Sequence, residues 1–158
     1  PLYSGRVLLL PFIEQNALFE QWDPTQAWDS PRNMPISQTA LSIFCDPSGD
    51  APSPRTDYLF VVGTGTAFEE SMKQNIASLK DGTANTLFMI EAKSTGINWA
   101  EPRDFDASQP VPLPPGNHPR VNLGAFFDGS VKAISSDMPP EDVRALATRD
   151  GGETVFPN

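Results

Sequence analysis

Seventeen prolines punctuate this chain of 158 residues, and they decide where regular structure can form. Proline lacks the amide donor that helices and sheets require. The prolines crowd residues 47–54 and 102–119, so both stretches read as loops. Between them stand a few short segments able to build helices or strands. Residues 6–22 have mixed apolar character with a wet face of Glu14, Gln15, Asn16, Glu20 and Gln21. They predict a helix in which Pro11 sits in the first turn or makes a kink. A second short helix is expected near Ser37 to Phe44.

Tyr58-Leu59-Phe60-Val61-Val62 is a strand by composition, rich in aromatic and β-branched residues. Thr86-Leu87-Phe88-Met89-Ile90-Glu91 lacks strict alternation, which predicts a strand buried on both faces. The strongest local signal is Asp128-Gly129, set between Val121–Phe127 and Ser130–Ser135. An Asp-Gly pair between two such runs predicts a hairpin with a type I′ turn, in which Phe127 faces Ser130 and Val121 faces Ser136. Residues 139–149 form the last helix, with prolines and acids in its first turn and Gly151-Gly152 beyond it. A helix, several strands and a final helix imply an α+β fold with an antiparallel sheet, as one domain over residues 1–158.

Charge narrows the function classes. The net charge of -9 and the scatter of only eleven basic residues disfavour nucleic acid and anionic membranes as partners. No apolar run approaches the ~18 residues of a membrane span. Gly63-Thr64-Gly65-Thr66 lacks the Gly-Lys-Ser/Thr ending of a phosphate loop. The single cysteine, Cys45, cannot form an internal disulfide and reads as a small buried hydrophobe.

The segments also occur in a telling order. Residues 6–18, Trp28-Asp29-Ser30-Pro31, Cys45-Asp46-Pro47-Ser48, residues 79–86 and Trp99-Ala100-Glu101-Pro102-Arg103-Asp104 are followed by His118, nine residues, and Asp128-Gly129. Together they resemble the bacterial domain of unknown function 1559 family, whose members resemble type II secretion pseudopilins and carry a C-terminal H-x9-D-G motif. The resemblance spans nearly the whole chain. Pro119-Arg120 stands where the family is often glycine-rich.

The resemblance implies a pilin-like fold, with an N-terminal helix packed on the sheet, long proline-rich loops and a short C-terminal helix. It implies a structural or assembly subunit of the cell envelope or the extracellular space, with other pilin-like subunits or envelope proteins as partners. Full-length members open with a prepilin-type cleavage and methylation site before a long apolar helix. We expect that anchor, the only route to the membrane, to be absent from this chain. The alternative is a periplasmic or extracellular solute-binding module for a small ligand.

No catalytic set is expected. His118 is the only histidine, it stands among prolines, and no nucleophile-elbow motif occurs. His118, Asp128 and Gly129 are read instead as structural fixtures at the two ends of one strand. His118 is expected to secure the start of the final helix through Asp137 or a nearby carbonyl. No cofactor is expected beyond Ca²⁺, for which Asp104 and Asp106 in the long loop are the candidates, weighed against ordinary solvated acids. Asp46 and Asp50 read as turn formers. Trp28, Trp99 and Phe105 are read as a cap over core rather than as a ligand groove.

Overall fold

The computed structural model describes residues 1–49, 52–69 and 75–152. The chain forms two compact units, one of Pro1–Asp57 with Ser94–Arg103, the other of Tyr58–Lys93 with Asp104–Asn158. The fold is α+β, with a five-stranded sheet and a few short helices. Among the described residues no helix is long and apolar enough to cross a membrane.

The first unit is built from single turns. α1 (Arg6–Leu9) runs into a 3₁₀ turn over Leu10–Phe12, and α2 (Asn16–Phe19) follows separately. The continuous helix expected over residues 6–22 is therefore broken, for two local reasons. Pro11, the second residue of the 3₁₀ turn, has no amide to continue the helical ladder, and Glu14 takes a left-handed backbone at φ 62°, which no helix continues. α3 (Met34–Ser37) and a 3₁₀ turn over Ser42–Phe44 complete the helical content of this unit.

Turns this short do not stand alone in water. They are held by a core of Val7, Leu10, Trp22, Ile36, Leu41, Phe44, Trp99 and Ala100. Trp99 is fully buried, stacks on Phe44 at 5.8 Å and lies tilted against Trp22 at 6.2 Å. Its Nε1 donates to the Thr39 carbonyl at 3.0 Å. The buried Asn33 organises the loop before α3: Nδ2 donates to the carbonyls of Asp23, Gln26 and Ala27, and Oδ1 accepts from the Asp23 amide.

The second unit holds the sheet: β1 (Tyr58–Val62), β2 (Leu87–Glu91), β3 (Phe105–Asp106), β4 (Val121–Phe126) and β5 (Val131–Ser135), in the order β3-β1-β2-β4-β5. The sheet is mixed rather than purely antiparallel as expected, because β3 joins β1 in parallel through Val61 and Phe105. Parallel neighbours need a long crossover. Residues 63–104 supply it. β2 is not buried on both faces either: a register shift lies between Leu87 and Met89, and this bulge hides the alternation that its sequence failed to show.

Two rungs describe the sheet. Leu59, Ile90 and Gly124 pair across one face and are buried, with Lys132 at the edge. Phe60, Met89, Ala125 and Val131 pair across the other and remain partly or well exposed. α4 (Pro140–Ala147) lies against β2 and buries Val143, Leu146 and Ala147. Gly124 is required on the buried face, since a Cβ there would stand 2.6 Å from both Ile134 Cδ1 and Leu87 Cδ1. Gly124→Val is therefore expected to destabilise the protein by about 1–3 kcal/mol through overpacking. Urea denaturation followed by circular dichroism measures this, and an unchanged midpoint would show that the site has spare room.

The hairpin forms where Asp128-Gly129 placed it, but its turn differs. The Phe126 amide donates to the Ser130 carbonyl, so the loop is the three residues Phe127-Asp128-Gly129. Only Gly129 of the pair takes positive φ, at 85°. This is the turn-plus-bulge form of a three-residue hairpin, not the two-residue type I′ form. The register moves by one, and Val121 faces Ser135 instead of Ser136.

Candidate functional site

β2 ends on Glu91, whose side chain is fully buried. A carboxylate taken out of water needs partners. Its Oε2 accepts from the Leu123 amide of β4 at 3.1 Å. Among the described residues its Oε1 receives no hydrogen bond. His118 Nε2 lies 3.7 Å from that oxygen, with the imidazole 40% exposed. That distance suits an ion pair but exceeds a direct hydrogen bond.

The backbone around this pair is tightly held. Asn122, fully buried on β4, donates from Nδ2 to the carbonyls of Glu91 (3.1 Å) and Pro114 (2.8 Å). Its Oδ1 accepts from Ser136 Oγ at 2.9 Å. The loop that carries His118 is tied back by the Lys93 amide, which donates to the Pro115 carbonyl. Arg120, at φ 65°, turns the chain so that His118 bridges antiparallel to Val121. His118 thus does not continue the line of β4, and the partner that it faces in this unit is Glu91 rather than Asp137.

Asp128 occupies the far end of β4 from His118. Its Oδ1 accepts from the Ser130 amide and hydroxyl. These bonds, the hydroxyl's foremost, hold its carboxyl below the ordinary range. Asp106 makes the same turn with Ser108, and its carboxyl is lowered for the same reason. Asp104 is used differently: its Oδ1 accepts from the Phe60 amide of β1 at 2.9 Å. The two calcium candidates thus spend a carboxylate oxygen each on separate protein groups. Asp46 closes a turn on the Ser48 amide and hydroxyl, and Asp50 lies outside the described residues.

Trp99, read as a cap, is the centre of the first unit's core, with Trp28 packed at its margin. Phe105 belongs to β3 in the second unit. Cys45 is half-buried, with Sγ 3.6 Å from the carbonyls of Leu41, Ser53 and Arg55.

Sequence reasoning missed Glu91 and Asn122. Both left a signal: each is a strongly polar residue inside an otherwise apolar strand. A partner elsewhere in the fold is what allows such a residue to be buried.

A family model described as "Protein of unknown function (DUF1559)" matches residues 2–65. Over residues 2–65 the chain is therefore similar to this family. This is the family that the ordered motifs resemble, and its matched span carries the segments around Arg6, Trp28 and Cys45. Glu91, His118 and Asp128 lie beyond the span matched to DUF1559. No curated protein and no solved structure matches the chain.

Proposed function

We propose that the chain is the globular body of a pilin-like structural or assembly subunit, part of a pseudopilin-like system of the cell envelope or of secretion, and not an enzyme. The observation that carries this reading is the outer rung of the sheet. Phe60, Met89, Ala125 and Val131 place four apolar side chains in register across β1, β2, β4 and β5, and Val131 is 63% exposed. The solvent face of an antiparallel sheet is ordinarily polar. Phe68 extends the apolar surface by touching Phe60 at 5.2 Å and Phe127 at 5.8 Å. An apolar face of this kind suits a sheet laid against an apolar helix, the arrangement that pilin-like proteins use. The partners on this reading are other pilin-like subunits or envelope proteins, and membrane attachment runs through an N-terminal helix outside this chain.

Met89→Glu with Val131→Glu tests the assignment. Both side chains are at least partly exposed, so the melting temperature should move little. In the source cells the doubly substituted protein should no longer be recovered in envelope assemblies. Recovery equal to the unsubstituted protein would remove this face from the assembly contact.

A second reading, a solute-binding module, is favoured by one feature. An open groove of about 510 Å³ in the second unit is lined by Ala67, Phe68, Ile76, Leu79 and Phe127 among others. A thermal-shift screen across sugars, amino acids and other small organic solutes separates the readings. A saturable rise in melting temperature with one such solute would favour binding over assembly.

A further inference from the structure

The pairing of Glu91 and His118 carries an inference independent of the assembly reading. We propose that Glu91 Oε1 and His118 Nε2 are two ligands of a divalent transition-metal site, of the kind that takes Zn²⁺. The Glu91 side chain is fully buried, yet among the described residues Oε1 receives no hydrogen bond while Oε2 is bonded by the Leu123 amide. Burial of a carboxylate oxygen without a donor is unfavourable, and a cation is the partner that restores the balance. The spacing fits. Two ligands bound to Zn²⁺ at about 2.0–2.1 Å with a tetrahedral angle stand about 3.4 Å apart. Glu91 Oε1 and His118 Nε2 are separated by 3.7 Å, about 0.3 Å beyond that spacing.

The donor chemistry agrees as well. Imidazole nitrogen with a single carboxylate oxygen suits Zn²⁺ and its first-row neighbours, whereas Ca²⁺ and Mg²⁺ favour all-oxygen shells. The surroundings hold the donors in place as metal ligands require. The Leu123 amide fixes one carboxylate oxygen, Asn122 fixes the Glu91 backbone, and the Lys93 amide anchors the loop before His118. His118 is 40% exposed, which gives an ion a route to the pair. The site is part of the second unit, where it joins the end of β2 to the loop before β4, and the remaining coordination positions fall to water or to further donors.

The test titrates Zn²⁺ into chelator-stripped full chain by calorimetry, with Co²⁺ absorption as a geometric readout. We expect saturable binding at one ion per chain, a raised melting temperature, and visible bands typical of low-coordinate Co²⁺. Glu91→Gln and His118→Ala should each weaken binding about tenfold or more. Because His118 is partly exposed, His118→Ala keeps the test valid if Glu91→Gln fails to fold. No saturable binding by the folded parent chain would overturn the proposal. So would unchanged affinity in His118→Ala, which would place the bound ion elsewhere, for example on surface acids.

Discussion

Trp99→Ala is expected to destabilise the protein by about 3–5 kcal/mol, the range for removing a large buried aromatic. Trp99 is fully buried in the core of the first unit and touches both Phe44 and Trp22. The elements around it are one-turn helices that have no stability of their own, so their packing depends on this side chain. The loss also frees the Thr39 carbonyl, which accepts from Trp99 Nε1. For a chain of this size the melting temperature should fall by about 2–4 °C per kcal/mol. Trp99→Phe separates the two contributions: most of the aromatic contact survives, the Thr39 hydrogen bond does not, and the cost should drop below that of the alanine variant. Urea denaturation monitored by circular dichroism measures both. A loss under about 1 kcal/mol in Trp99→Ala would mean that the core closes over the gap.

Arg6→Met should cost about 3 kcal/mol or more, although methionine fits an apolar surrounding well. Arg6 is buried in α1, where its Nε donates to the Trp99 carbonyl at 2.9 Å. Its Nη2 donates to the carbonyls of Glu101 and Arg103 at 3.0 and 3.1 Å. One guanidinium thereby closes the Trp99–Arg103 segment onto the N-terminal turn, and its removal takes a donor from three carbonyls, of which only that of Glu101 keeps a further bond, from the Arg103 amide, among the described residues. Arg6→Lys keeps the charge but not the planar fork, so it should recover only part of the loss. Amide hydrogen exchange offers a local check, since the Ser4 amide that donates to the Ala100 carbonyl should exchange faster in Arg6→Met. Equal stability and equal protection would show that the carbonyls find other donors.

How far the sequence reports such features depends on how local they are. The strand at Tyr58–Val62 stands where its β-branched and aromatic residues placed it. α4 begins at Pro140, as proline at a first helical turn predicts, and ends at Ala147 where Thr148 turns extended. The Asp128-Gly129 hairpin was equally legible, but its register was not, because the same pair serves both two- and three-residue loops. The break at Glu14 is a single backbone torsion with no glycine to announce it. β3 is two residues from a proline-rich loop, and only its pairing with β1 makes it a strand.

The candidate site was legible in one half. His118 stood out as the only histidine, and Asp128 as a turn former. The partner Glu91 could not be read from spacing, because 27 positions, 118 minus 91, separate it from His118 and only the antiparallel pairing of β2 with β4 draws their segments together. Arg6 and the carbonyls that it binds are separated further still, although both lie in segments whose order resembles one family. Asn33 illustrates the same limit. It organises the loop around it from a buried position, and a lone asparagine in a loop sequence does not announce that role.

The central claim, a pilin-like subunit body, is tested most directly at the mature N-terminus of the protein isolated from the envelope of its source cells. Mass spectrometry of the N-terminal peptide should find an N-methylated residue opening an apolar segment of about 20 residues that leads into Pro1. A mature protein without such an apolar segment before Pro1 would contradict the account.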